Sequence, residues 1–282
     1  MMRRLAAMAA IAVVTFVGAL DRAAPASAAS GTWEQIARTG VLRVGIIPER
    51  PPYIYKQANA WKGFSIVMAE DLAQALSVAM EKEIKPEWVM TSWPTVILDL
   101  QANKLDVFFG FAFSEERKKA IDLFGPLYAL PEVAVNAKGT SFGSNWSDYN
   151  KPGVTVAAAM GTTDEQAARQ YLPKATIRAM KSMGEVVLDI QSGNSQAIIT
   201  SAIVGLGAMS QNPNLASVNV LQPLSTTPSG GGVRKDGDGK LHSFIQGFSW
   251  TYRASGRSKQ VIFEAMKELN MDISKLPADV RF

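Results

Sequence analysis

The sequence of 282 residues contains no cysteine and a single histidine, His242. Without cysteine there are no disulfide bonds, so a folded form outside the cytoplasm would depend on a large apolar core. One histidine cannot supply a clustered His/Cys metal site, and its place in the predicted C-terminal helices argues against a Ser-His-Asp triad. We therefore predict no metal, no cofactor and no catalytic residue.

The chain also lacks a block of charge of one sign. It carries 29 Lys and Arg against 25 Asp and Glu, which gives a formal charge of +4. The basic side chains are spread along the chain, whereas nucleic-acid binding favours clustered basic residues. We therefore expect no nucleic-acid partner.

Long apolar runs are confined to the start of the chain. Residues 1–4 are basic, residues 5–20 are apolar, and residues 26–28 are the small residues typical of a cleavage site. The apolar run ends short of the ~20 residues that a membrane span needs. Residues 1–28 are therefore predicted to be a cleavable signal peptide that directs the protein to the periplasm.

Short apolar stretches alternate with helical patterns along the rest of the chain. A strand at 41–47 is followed by apolar residues at helical spacing over 64–78. Further strands are predicted at 154–159, 175–180, 196–200 and 217–221, and further helices at 163–171, 183–191 and 202–209. This alternation indicates an α/β fold with mostly parallel sheets and helices on both faces.

Prolines divide the middle of the chain. The stretch 121–130 is extended, but Pro126 and Pro131 are predicted to lie outside any central strand, because proline cannot donate a ladder hydrogen bond. A separate strand is predicted at 132–137, where a second βα region begins. Amphipathic helices over 241–269 are expected to cover the first region.

Residues 105–117 combine the features of an anion site. An apolar run breaks at Gly110, where the missing Cβ lets a ligand approach the backbone, and Ser114 is placed to cap a helix. Arg117 then puts a planar cation one turn inside that helix. The alternative is a buried strand followed by a capped helix with a solvated arginine.

A second candidate anion site lies at a later strand-to-helix turn. Gly161 leaves backbone amides open at the positive end of a helix, and Thr162 with Glu165 forms a possible capping box. An ordinary helix cap is the alternative interpretation.

In their order along the chain, these motifs resemble the periplasmic solute-binding proteins of ABC importers, in family 3, whose typical members bind polar amino acids. The matching stretches are residues 40–45, 52–53, 61–64, 104–106, 114–117, 124–128, 160–163 and 232–235. The resemblance implies the type II two-lobe fold with two hinge crossings, near Pro131 and near Gly231. Lobe 1 would comprise residues 29–131 and 232–282, and lobe 2 would comprise residues 132–231.

The resemblance also implies roles for individual residues. Arg117 would pair with a ligand carboxylate, and at residue 201 the family pattern has an aspartate for a ligand ammonium where this chain has serine. Together with Trp61, which can face the cleft, the expected ligand-binding residues are Tyr53, Gly110, Ala112, Arg117, Gly161, Thr162, Thr163 and Ser201. Because of the serine, the identity of the ligand stays open.

The function implied by the resemblance is capture of a small carboxylate-bearing solute, an amino acid or a related organic acid. A monomer in the periplasm would pass it to an inner-membrane ABC permease, and no enzymatic activity is expected. One alternative is an exported cyclohexadienyl dehydratase, for which the sequence offers no obvious cleft carboxyl as general acid. The other is a solute-sensing accessory protein.

Overall fold

A computed structural model describes residues 31–48 and 50–282, so the predicted signal peptide lies outside the described residues. Helices are found at α1 Thr32–Thr39, α2 Phe64–Ala79, α3 Val96–Gln101, α4 Glu115–Ala120, α5 Trp146–Tyr149, α6 Thr163–Tyr171, α7 Met183–Gln191, α8 Ala202–Gln211, α9 Lys240–Ala254 and α10 Arg257–Glu268. None of the helices in this part of the chain is long and apolar enough to cross a membrane.

Strands are found at β1 Val41–Ile46, β2 Tyr55–Gln57, β3 Ala60–Lys62, β4 Lys85–Met90, β5 Val107–Ala112, β6 Asp122–Ala137, β7 Thr155–Ala159, β8 Thr176–Met180, β9 Ala197–Ser201, β10 Leu215–Val220 and β11 Thr226–Val233. Nine of them form one sheet in the order β4-β1-β5-β11-β6-β9-β7-β8, with β10 also paired to β6. The pairs of β1 with β4 and β5, and of β7 with β8 and β9, are parallel. The α/β class predicted from the sequence is confirmed.

β6 joins two regions of this sheet. Its residues 122–131 pair with β11, whereas residues 132–137 pair with β9 and β10. We call the region of β1, β4, β5, β11 and the first part of β6 the first lobe. The region of β7 to β10 and the second part of β6 is the second lobe.

The continuity of β6 corrects the expectation that a separate strand begins at residue 132. Pro126 and Pro131 both lie in the first part of β6, which pairs with β11 and with no second strand of the sheet among the described residues. Pro126 lies where the register with β11 shifts between Ser229 and Gly231, and Pro131 lies where β6 changes partners. At a bulge or a change of partner the missing N–H of proline is tolerated.

Local signals position the elements around the cleft between the lobes. Ser114 begins α4, accepting a hydrogen bond from the backbone N–H of Arg117 at 3.2 Å. β5 is buried except at its last residue, Ala112, and so brings Gly110 and Ala112 to the carboxyl end of the sheet. Ligand sites of α/β proteins form at this end of the strands.

Candidate functional site

Arg117 lies where the two lobes meet. Its side chain is buried, with only 5% of the residue exposed. Nη1 donates to the carbonyl oxygen of Ala112 at 2.8 Å, and Nη2 donates to the carbonyl oxygen of Gly161 at 3.1 Å. One guanidinium therefore contacts the backbone of both lobes and keeps further N–H groups for another acceptor.

The surroundings of Arg117 are mostly apolar. Its guanidinium carbon lies 5.0 Å from the ring centroid of Phe111 and 5.4 Å from that of Trp93. Burial lowers the pKa of Arg117 to about 10, with Asp164 opposing the change and Arg50 adding to it. The group stays cationic at neutral pH, but its charge is poorly solvated and favours an anionic partner.

Side chains of Thr162 and Glu165 form hydrogen bonds with the backbone of the turn before α6. The hydroxyl of Thr162 accepts the N–H of Glu165 at 3.1 Å and donates to the carbonyl of Ala159 at 2.6 Å. The return bond of the predicted capping box is shifted by one residue, because the Glu165 carboxylate accepts the N–H of Gly161 at 2.8 Å. Thr163 is left to face the cleft, since the first N–H of a helix has no partner within it.

Asp164 is a cleft residue that the sequence analysis missed. Its Oδ2 accepts the hydroxyl of Thr200, the neighbour of Ser201 on β9, at 3.0 Å. Burial raises the pKa of Asp164, and the hydrogen bond from Thr200 and the charges of Arg50 and Arg117 oppose that rise. A carboxylate therefore lies beside the position where the family pattern has one, but it comes from α6.

Glu132 is a second acid that the sequence analysis missed, and it corrects the expectation that the cleft has no carboxyl. It pairs in register with Ser201 where β6 enters the second lobe, and only 3% of the residue is exposed. Its Oε2 has no hydrogen-bond partner among the described residues. Burial raises the pKa of Glu132 well above its usual range, and the nearby charge of Asp164 raises it further.

Two aromatic rings of the first lobe enclose the guanidinium of Arg50. Its central carbon lies 4.0 Å from the ring centroid of Tyr53 and 4.7 Å from that of Trp93. Gly110 makes room for this arrangement, because a Cβ there would lie 3.0 Å from Nη1 of Arg50 and 3.4 Å from the Tyr53 ring. The φ of Gly110 is +106°, a conformation that other residues rarely adopt.

These groups surround a cavity of about 30 Å³ between the lobes. The predicted residues that line it are Tyr53, Gly110, Ala112, Arg117, Thr162, Thr163 and Ser201, and Gly161 adjoins it through its bond to Arg117. Residues that line it without having been selected from the sequence include Arg50, Trp93, Glu132, Asp164, Thr200 and Ser229. Ligand contact by any of them remains a prediction.

Trp61 lies apart from this cavity, in the hairpin of β2 and β3. It lines an open groove of about 720 Å³ that also runs between the lobes, and Nζ of Lys56 lies 5.7 Å from its ring centroid. The groove adjoins the cavity, because Arg50, Met183 and Val204 line both. The sequence alone cannot distinguish a residue in a hairpin beside the cleft entrance from a residue of the cavity wall. Trp61 is therefore expected in the cleft.

Comparison with known proteins places these features in a family. The sequence model described as bacterial extracellular solute-binding proteins, family 3, matches residues 42–264. A glutamine-binding protein of Geobacillus stearothermophilus is 28% identical over 213 residues, which cover 74% of this chain and 79% of that protein. A cyclohexadienyl dehydratase of Pseudomonas aeruginosa is 26% identical over 210 residues, which cover 73% of this chain and 76% of the enzyme.

A solved structure is also similar to this chain. It is the crystal structure of an ancestral amino-acid-binding protein, described as a precursor of cyclohexadienyl dehydratase. The similarity has a TM-score of 0.72 at 30% sequence identity and covers 83% of this chain and 98% of the ancestral protein.

Proposed function

Because the chain belongs to the bacterial extracellular solute-binding proteins of family 3, with their type II two-lobe fold, we propose that it captures a small carboxylate-bearing solute for ABC-type import. The solute is an amino acid or a related organic acid. The observation that carries this proposal is the buried guanidinium of Arg117, which bonds to both lobes and adjoins a cavity between them.

The ligand carboxylate would take the N–H groups of Arg117 that face the cavity. A charge-assisted hydrogen bond contributes about 1.5–3 kcal/mol, and a two-pronged pair also fixes the orientation of the carboxylate. The N–H of Thr163 would add a donor from the second lobe. A ligand that bonds to both lobes favours the closed arrangement over an open one, and a permease can recognise that difference.

A ligand ammonium would bind near Ser201 through Asp164. The carboxylate of Asp164 accepts the hydroxyl of Thr200, next to Ser201, and lines the cavity from the second lobe. This arrangement supports amino acids as ligands although residue 201 itself is serine. Amino-acid binding is also named for several relatives of this chain.

We propose a division of the lobes at residues 131 and 132, where β6 changes partners. The second crossing is placed at 221–225 instead of near Gly231, because all of β11 pairs with strands of the first lobe. Residues 1–28 would be a signal peptide for export to the periplasm, where the protein would act as a monomer with an inner-membrane ABC permease.

A thermal-shift screen tests this proposal on purified protein. The ligands are the protein amino acids and small carboxylic acids, and the proteins are the wild type, Arg117→Met and a control, Arg253→Met, on α9. A ligand at 100 times its Kd stabilises the folded state by about 2.7 kcal/mol, which corresponds to roughly 5–10 °C in Tm. The shift should occur in the wild type and the control.

Arg117→Met should lose that shift while keeping the ligand-free Tm and circular dichroism of a folded protein. Calorimetry then compares affinities for the best ligand. Equal affinity in Arg117→Met and the wild type would contradict the role of Arg117. No response to any carboxylate would contradict the solute class.

Glu132 favours a second candidate function, a dehydratase acting on a cyclohexadienyl acid. Burial raises the pKa of Glu132, which favours its protonated form, and a protonated carboxyl can donate its proton to a leaving hydroxyl. Incubation with prephenate tests this activity by the formation of the aromatic product. Product formation that disappears in Glu132→Gln would support the enzyme, and no turnover by the wild type would exclude this activity.

A further inference from the structure

Arg50 is a charged group of the cleft that the proposed function does not use. Its guanidinium carbon lies within 4.7 Å of the ring centroids of both Tyr53 and Trp93, and the residue lines both the cavity and the outer groove. Among residues 31–48 and 51–282, it has no ion-pair partner and its side chain makes no hydrogen bond. A ligand that enters the cavity from the groove would meet this group.

The contacts of Arg50 with the two rings use none of its hydrogen-bonding capacity. Aromatic rings cover the faces of a guanidinium, whereas its N–H groups point outward in the plane. That edge matches the geometry of a carboxylate, which accepts two parallel N–H bonds. The two rings thus contact a planar anion receptor without satisfying its donors.

Arg50 and Arg117 are close neighbours. Both guanidinium carbons lie within 5.4 Å of the ring centroid of Trp93, so they are no more than about 11 Å apart, a distance at which like charges in a poorly solvated cleft repel. The charge of Arg50 contributes to the lowered pKa of Arg117, as that repulsion requires. An anionic group beside each arginine would relieve it.

The acids of the second lobe do not cancel this positive charge. Burial raises the pKa of both Glu132 and Asp164, and the negative charge of one disfavours ionisation of the other. Burial and mutual repulsion therefore disfavour full ionisation of this pair, whereas both arginines are cations. The cavity favours a guest with net negative charge.

We propose that the ligand carries two carboxylates, one bound by Arg117 and the other by Arg50. This inference rests on the proposed function and narrows its ligand class to dicarboxylates. The two sources of this chemistry are an acidic amino acid, whose ammonium would bind Asp164, and a plain dicarboxylic acid.

The test compares ligands that differ only in the second carboxylate. L-glutamate is compared with L-glutamine, and glutarate with its monoamide, by calorimetry at pH 7 on the wild type, Arg50→Met, Arg117→Met and the control Arg253→Met. Plain dicarboxylic acids of three to seven carbons complete the panel. In the wild type and the control, at least one dicarboxylate should bind about 10–100 times more tightly than its monoamide.

Arg50→Met should weaken binding of the dicarboxylate far more than binding of its monoamide, and so reduce the preference to about threefold or less. A preference within the glutamate pair identifies an acidic amino acid, and one within the glutarate pair identifies a plain dicarboxylic acid. Equal affinities in the wild type, an unchanged ratio in Arg50→Met, or no binding of any dicarboxylate would overturn the inference. In the first two cases, binding that still depends on Arg117 would leave the proposed function intact.

Discussion

The two walls of the cavity differ in their chemistry. The first-lobe wall consists of two guanidinium groups, Arg50 and Arg117, held against the rings of Tyr53 and Trp93. The second-lobe wall consists of hydroxyl groups and carboxyl groups, with Asp164 its most exposed acid toward the cleft. Cations and aromatic rings face hydroxyls and acids across the space where a ligand would bind.

This difference indicates how the lobes would share the work of recognition. The rings of the first lobe belong to a packed core, since the centroids of Tyr53 and Phe64 lie 4.2 Å apart and those of Trp93 and Phe108 lie 5.7 Å apart. Its arginines are therefore held in place before a ligand arrives, which limits the entropy lost on binding. The second lobe adds polar partners when the cleft closes.

The largest effect is expected when Arg117 is replaced by a residue that keeps the positive charge but lacks the planar guanidinium. Arg117→Lys retains a positive charge, yet an ammonium cannot bond to the carbonyls of Ala112 and Gly161 and also bind a carboxylate through two parallel bonds. Affinity for the best ligand should fall about 100-fold. Calorimetry measures the loss, and an affinity within threefold of the wild type would show that charge alone is sufficient.

The next effect concerns the acidic wall. Asp164→Asn removes the charge that would bind a ligand ammonium but keeps an acceptor for the hydroxyl of Thr200. An amino acid should bind about 10–30 times more weakly, whereas its deaminated acid should bind at least as well as before. Asp279→Asn, near the C-terminus, is the matched control. Equal losses for both ligands would place the ammonium elsewhere.

How much of this comparison the sequence predicts depends on how local each signal is. The bounds of α6 and α7 agree with the predicted 163–171 and 183–191, because each helix begins at a capping side chain, Thr162 or Ser182. The place of Arg117 in the first turns of α4 likewise follows from the helix cap at Ser114. These features are determined within a few residues of chain.

The residues that the sequence analysis missed depend on contacts between distant segments. From the sequence alone, an acid in the first turn of α6 is expected to interact with the helix dipole. Asp164 is a cleft residue only because β9 lies beside α6. Glu132 reads as part of a strand, and Arg50 as a loop residue between prolines. The continuity of β6 was missed because Pro126 and Pro131 indicate breaks in a strand, whereas the strand continues through both and exchanges partners at Pro131.

A smaller effect is expected from substitution of Gly110, which leaves room for the Arg50 side chain. Gly110→Ala places a methyl group 3.0 Å from Nη1 of Arg50 and forces alanine into a φ of +106°. The free energy of unfolding should fall by about 1–3 kcal/mol, the usual cost of such a backbone conformation. Urea unfolding measures this loss, with Gly247→Ala in α9, where a Cβ meets nothing within 4 Å, as the control. An unchanged midpoint would show that the backbone relaxes freely.

The smallest effect is the pH dependence of stability that we expect Glu132 to cause. Because burial raises the pKa of Glu132 in the folded protein, that protein keeps a proton which the unfolded chain releases near its ordinary value of 4.5. The stability from this proton is present at low pH and is lost as the pH rises through the raised pKa. Glu132→Gln removes this dependence, since an amide is neutral throughout.

The ligand-free Glu132→Gln variant should therefore match the wild type near pH 4 and exceed it at pH 8, by roughly 2–4 °C in Tm for each kcal/mol gained. Thermal unfolding of both proteins across this range measures the difference, and Glu87→Gln, exposed on β4, serves as control. A gain that is the same at both pH values would mean that Glu132 is destabilising for a reason other than its charge. A gain only at high pH would show that burial destabilises the ionised form of Glu132 in the second wall.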